Sequence, residues 1–291
     1  MTVRDLGYRA YEGELLPSSH NSWVLLRYGL WRIWGSWVNK IVVFFFWFPC
    51  VVYVGLALFR YFIVGPEMPP EAVEEGGWFA GPPGEWMRYL TAAQFWFFAI
   101  PVTLRSGAGI VAGDLSHKAY QFYFAKPVTA VQYLIGRAAA LALFLFGLIF
   151  VPTLILALVF VGTGPEDQML ERLGLLLPAF LDALVIATSL SVLAVGVSAI
   201  SKSRALTLTA WVVLLVVPFA LGMLVEQIGE VEWMHAISVP GLLWSLGDGL
   251  YKVHDSWEQL KWFHAAPLLL ALCAGAGYFA YVRISRAEVI T

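Results

Sequence analysis

The chain has 291 residues, 60% of them hydrophobic and only 13% charged, with a net charge of −2 and a mean hydropathy of +0.74. A soluble domain carries more surface charge than this, which excludes an ordinary soluble enzyme or binding module. The near-neutral total gives no footing for a nucleic-acid partner.

The first twenty residues, MTVRDLGYRAYEGELLPSSH, place acids early and contain no apolar stretch, so no cleaved signal peptide is expected and the first membrane helix should remain as an anchor. From about Ser22 to Trp37, the residues Trp23, Leu26, Leu30, Ile33, Trp34 and Trp37 recur at steps of three and four. That spacing predicts an amphipathic helix lying in the cytosolic interface, or an extension of the first span. The 13 tryptophans suit a protein with two membrane–water interfaces to anchor.

Crossing the hydrocarbon core takes roughly 20 apolar residues, and six segments qualify. They run from about Ile41 to Phe59, Tyr89 to Ala112 (interrupted by Arg105), Ala138 to Val161, Leu173 to Ile200 (containing Asp182), Ala205 to Val225 and Ala265 to Val282. Barrel strands are shorter and alternate, so runs of this kind predict helices. The fold class expected is an all-α membrane protein forming a single transmembrane domain over residues 1–291. Within it, residues 1–40 are an N-terminal segment, 41–225 hold helices one to five, 226–263 form an outer loop, and 264–291 hold helix six and the tail.

Orientation follows from the basic residues. Arg4, Arg9, Arg27, Arg32 and Lys40 precede the first span. Lys118, Lys126 and Arg137 lie between the second and third, Lys202 and Arg204 between the fourth and fifth, and Arg283 and Arg286 follow the sixth. The intervening loops are rich in acids, from Glu67 through Glu166 to Glu258. This alternation predicts both ends in the cytosol. The first outer loop, GPEMPPEAVEEGGWFAGPPGEW, is expected to be extended. The last, from about Glu226 to Phe263, mixes aromatics with Pro240, Gly241, Gly247 and Gly249. It predicts short re-entrant helices or a small exposed cap.

The longest cytosolic connection reads GDLSHKAYQFYFAKPVTAVQYLIGR, Gly113 to Arg137. Asp114 or Ser116 can cap a short helix, Pro127 stops it, and Thr129 can cap the next. The knobs Leu115, Ala119, Phe122 and Tyr123 suit either docking on a soluble partner or packing on the chain's own helices.

This segment, with Asp114, then Ala125-Lys126-Pro127-Val128-Thr129, then Tyr133-Leu134-Ile135-Gly136-Arg137, resembles the stretch after the second helix of ABC-2 type transporter permeases. Arg137 departs from the family's usual lysine but keeps the charge. The resemblance extends to the layout of an interfacial helix, six spans and a re-entrant loop before the last. It implies a coupling helix over Asp114, Leu115, Ser116, His117, Lys118, Ala119, Tyr120, Gln121, Phe122 and Tyr123 that docks on a separate ABC ATPase. It further implies two permease copies with the substrate path between them, export, and a bacterial inner-membrane location among membrane lipid. ATP and Mg would be held by the partner ATPase, and no cofactor is expected in this chain.

No Gly-Lys dipeptide occurs, so a Walker A loop is excluded and the chain is not expected to be an enzyme. His235, His254 and His264 match no compact metal-ligand spacing, and Cys50 and Cys273 read as small apolar residues within spans. Arg105 and Asp182 are the charges recognised within the expected spans. Arg105 lies near the cytosol and can snorkel, whereas Asp182 lies in the outer half and can line a polar cavity or bond across helices. Their depths differ by roughly 10 Å at the helical rise, which argues against their pairing. The alternatives to a permease subunit are a self-contained secondary transporter, which should show more intramembrane acids than Asp182 alone, and a membrane scaffold.

Overall fold

The structure, a computed structural model, describes residues 20–64, 81–117, 119, 128–165, 168–229, 238–253 and 260–289. Eight helices run through the described residues: α1 (His20–Gly35), α2 (Trp37–Ile63), α3 (Pro83–Ser116), α4 (Ala130–Gly162), α5 (Met169–Ser198), α6 (Arg204–Gly229), α7 (Val239–Tyr251) and α8 (Trp262–Val289). Six of them, all but α1 and α7, contain stretches long and apolar enough to cross a membrane. No strand occurs among the described residues.

The burial pattern suits a lipid solvent. The most apolar stretches of α3 and α5 are 61% and 67% buried, against 17% in α2, α6 and α8. Phe44, Phe48, Phe62, Leu270 and Tyr278 point outward. In water such a surface would drive aggregation, whereas lipid tails are as apolar as the side chains and impose no such cost. The core lies where α4 and α5 pack together and α3 closes over them, around Leu141, Leu145, Ile149, Ile186 and Leu190.

The helices begin and end for local reasons. Thr129 caps α4 as expected: its hydroxyl accepts from the Gln132 amide at 3.2 Å, and its own N–H donates to the Gln132 side chain at 3.2 Å, a reciprocal capping box. α2 breaks at Phe46, whose carbonyl accepts from buried Gln94 of α3 at 3.0 Å. α3 contains two wide π turns, Phe95–Ala99 and Thr103–Gly107, on either side of Pro101. Proline cannot supply an amide to the ladder, and the wide turns accommodate that gap. Within the second turn the Ala108 amide donates to the Thr103 carbonyl five residues back, at 2.9 Å, while Trp211 of α6 donates to the Thr103 hydroxyl at 3.0 Å.

α1 packs on α4 through small residues. A Cβ on Gly29 would stand 2.6 Å from the Ala140 Cβ, and one on Gly136 would stand 2.6 Å from the Leu25 Cβ. The buried face of α1 is therefore Leu25, Gly29 and Ile33. Of the residues in the sequence stripe only Ile33 is buried, while Trp23, Trp34 and Trp37 face outward.

α7 has 13 residues, too few to span. Ser238 caps it by accepting from the Gly241 amide at 3.1 Å, and its Val239, Leu242 and Leu243 are buried against α5, α6 and α8. It occupies the loop expected to hold short helices. The first outer loop's residues 65–80 lie outside the described residues.

Candidate functional site

Two groups of buried polar side chains sit at opposite ends of the bundle. The first is built around Asp114. α3 passes through a turn at residues 108–111 and resumes as a short helix over Ala112–Ser116 with Val111 at its N-cap, so Asp114 lies inside that helix and does not cap it. This corrects the expected cap at Asp114 or Ser116; the Ser116 hydroxyl instead donates to the Gly113 carbonyl at 2.8 Å. The turn is capped in trans by α5: the Ser198 hydroxyl accepts from the Val111 and Ala112 amides, each at 2.9 Å. Asp114 is thereby aimed at α4. Tyr133 donates to its Oδ2 at 2.7 Å, and Arg137, 1% exposed, donates to the same oxygen. Arg32 of α1 stands 3.7 Å from Oδ1. Tyr133 and Arg137 share a helix face four residues apart, so one turn of α4 presents both donors.

Of the residues expected to form a docking helix, Asp114 and Leu115 are buried, Ser116 and His117 are exposed and Ala119 is half-buried. Lys118, Tyr120, Gln121, Phe122 and Tyr123 lie outside the described residues.

The second group joins α3, α5 and α7. Arg88, 4% exposed, is its centre. Its Nε donates to Asp248 Oδ1 at 2.8 Å, its Nη1 stands 3.6 Å from Asp182 Oδ2, and its Nη2 donates to the Trp244 carbonyl. The guanidinium carbon lies 4.2 Å from the centre of the Trp244 ring, a cation–π contact in a desolvated site. Gly247 leaves room for the guanidinium, because a Cβ there would fall 2.4 Å from its carbon. Tyr251 closes α7 nearby, and burial, with the Asp182 charge second, holds its hydroxyl well above the ordinary phenol range. It therefore stays neutral at any physiological pH.

Sequence reading missed Arg88. A span boundary at Tyr89 left it in a loop, whereas α3 begins at Pro83. The signal was present as a lone base in an acidic segment, with Asp182 otherwise lacking a partner at its depth. Asp182 forms an ion pair across helices with Arg88 at 3.6 Å, its Oδ2 accepting no hydrogen bond. Arg105 is exposed at the opposite end of α3 and does not meet Asp182. Two further bases lie at the Arg88 end. Arg60 donates to the Gly81 carbonyl at 3.0 Å, and Arg172 donates to the Phe160 carbonyl in the last turn of α4 at 2.9 Å, where cations are favoured.

No family model matches the chain, and no curated protein matches it.

Among the described residues, no three histidine, cysteine or acidic side chains cluster as a metal site would require. His235 and His254 lie outside the described residues, and His264 is exposed near the start of α8. Cys50 is buried and Cys273 half-buried, both as free thiols. Next to Arg88, a mainly apolar cavity of about 230 Å³ opens between α3, α6 and α7, with Phe95, Trp96, Phe219 and Met223 in its wall.

Proposed function

We propose that the chain is the membrane-spanning permease subunit of an ATP-driven ABC exporter, with both ends in the cytosol and α1 in the cytosolic interface. In this reading α7 dips back into the outer leaflet, and two copies form the substrate path. Separate ATPase subunits bind ATP and Mg, and the membrane is a bacterial inner membrane. The segment that begins at Asp114 and extends to Tyr123 is the docking element.

One observation carries the reading: the start of that segment is tied to three helices at once. Asp114 holds α4 through Tyr133 and Arg137, faces α1 through Arg32, and follows a turn capped by Ser198 of α5. A push delivered after Ser116 would be passed to α1, α4 and α5 as a rigid group, which is what an ATPase partner needs in order to move spans. The sequence likeness over Asp114 to Arg137 supports the same reading, and the outward-facing tryptophans of α1 suit a helix at the membrane surface.

The test is co-purification. The full chain is expressed with its genomic neighbours, and mass spectrometry asks whether a soluble ATPase accompanies it. An ATPase lost on combining Tyr120→Ala, Phe122→Ala and Tyr123→Ala supports the reading, whereas a well-folded chain without any ATPase overturns it.

A specific observation favours a second reading. Arg88 and Asp182 form a buried charge pair between α3 and α5 beside an apolar cavity, and intramembrane charges of this kind occur in self-contained secondary transporters. That reading gains if uptake or efflux by the chain alone follows an ion gradient.

A further inference from the structure

Beside the Asp114 group a second cavity, of about 380 Å³, opens between α1, the last turns of α3, the start of α4 and the link from α5 to α6. Five cationic side chains line it: Arg32, Arg105, Arg137, Lys202 and Arg204. Asp114 engages two of them, Arg32 and Arg137. Among the described residues no carboxylate lines the cavity, and none pairs with Arg105, Lys202 or Arg204.

The gathering is structural. Arg204 donates through Nη2 to the carbonyl of Arg105 at 2.8 Å, which holds two guanidinium-bearing residues together although they are 99 positions apart. Clustered like charges repel one another, and one carboxylate cannot offset five cations. The remaining lining adds polar groups, with the hydroxyls of Ser36 and Ser106 and the ring of His117. A volume within the roughly 300–1,000 Å³ of small-molecule sites accommodates more than a bare ion.

We propose that this cavity binds a phosphate group, presented as the headgroup of an anionic lipid or as a soluble phosphate. Arginine forks match phosphate oxygens two at a time, and lysine adds a point charge. The anion removes the mutual repulsion of Arg105, Lys202 and Arg204 and bridges α1, α3 and the α5–α6 link. A lipid can reach it because the outward-facing Trp31, Trp34 and Trp37 place this end of α1 where an aromatic belt would sit, beside a leaflet whose anionic headgroups are drawn to clustered bases. The proposal needs no ATPase and stands apart from the permease reading.

The full chain is reconstituted in phosphatidylcholine nanodiscs, and its thermal midpoint is followed in two arms. Phosphatidylglycerol replaces part of the lipid in one, and inorganic phosphate is titrated in the other against sodium chloride of matched ionic strength. The double variant Arg105→Gln/Lys202→Gln is compared with Arg27→Gln, a base on the exposed side of α1. Among the described residues neither Arg105 nor Lys202 has a side-chain hydrogen bond or ion pair, so the fold does not depend on them. The expected result is a rise in midpoint for the wild type and Arg27→Gln in at least one arm, with half-maximal concentration at least tenfold higher in the double variant. A rise with phosphatidylglycerol alone assigns the lipid headgroup, and a rise with phosphate alone assigns the soluble ion. No rise in either arm, a rise matched by sodium chloride, or equal responses of wild type and double variant overturns the proposal. Should the double variant fail to fold, Lys202→Gln alone, in the link, is judged by the same comparison.

Discussion

Arg88 and Asp248, 160 positions apart in the chain, meet through a 2.8 Å bond from Nε to Oδ1. The contact fastens α7, which is too short to cross the membrane, to the first turns of α3. With Asp182 opposite and the Trp244 ring over the guanidinium, one arginine holds three helices.

Replacing Arg88 with Gln leaves Asp182 and Asp248 facing each other without a cation. Breaking a buried pair from one side costs about 3–5 kcal/mol, and the thermal midpoint of the purified chain should fall accordingly. Gly247→Ala should act in the same direction by overpacking, at about 1–3 kcal/mol, because its methyl would occupy the guanidinium's place. A midpoint unchanged in both variants would show that α7 is held by its apolar face alone.

Asp182→Asn should be much milder. Arg88 keeps its closer partner Asp248, and neutralising a side chain that is 2% exposed relieves a desolvation cost. A loss of about 1 kcal/mol or less is expected. The same variant decides function: if transport and ATPase stimulation are unchanged, the Asp182 charge is a structural partner only.

At the other end, Asp114→Asn removes the carboxylate paired with buried Arg137 and should cost about 3–5 kcal/mol. Tyr133→Phe deletes one hydrogen bond to a charged acceptor, about 1.5–3 kcal/mol. If the permease reading holds, Tyr133→Phe should also weaken ATPase stimulation while the ATPase still co-purifies, because docking is retained and transmission is not.

Gly136→Ala should lift α1 from α4, since the new Cβ would meet Leu25. Hydrogen exchange of residues 20–35 should then quicken by at least tenfold, with α5 unaffected. Slow exchange retained in α1 would mean that α1 slides rather than detaches.

The six apolar helices were legible because length and apolarity are properties of each segment alone, and the Thr129 cap was legible because its partner lies three residues away. What was hidden depended on distant partners. Arg88 finds Asp182 and Asp248, 94 and 160 positions on, and a boundary misplaced by six residues kept it out of its span. Asp114 looked like a cap because an acid before a short helix usually is one; its true partners, Tyr133 and Arg137, were within the quoted motif but not recognised as one face. The packed face of α1 was not legible in its apolar stripe, for a reason special to membranes. Tryptophan faces lipid as readily as protein, so hydrophobicity does not mark the packed side, whereas the glycine that permits close approach does.

The two π turns of α3 act as a register gauge between the ends of the molecule. Each inserts one residue relative to a regular helix, and each residue turns the helix by about 100°. Arg88 lies before both turns and Asp114 after both, so their angular relation is set by two insertions. If one wide turn tightened to a regular one, everything beyond it would rotate by about that angle, and Asp114 would swing away from Arg137 while Arg88 stayed in place.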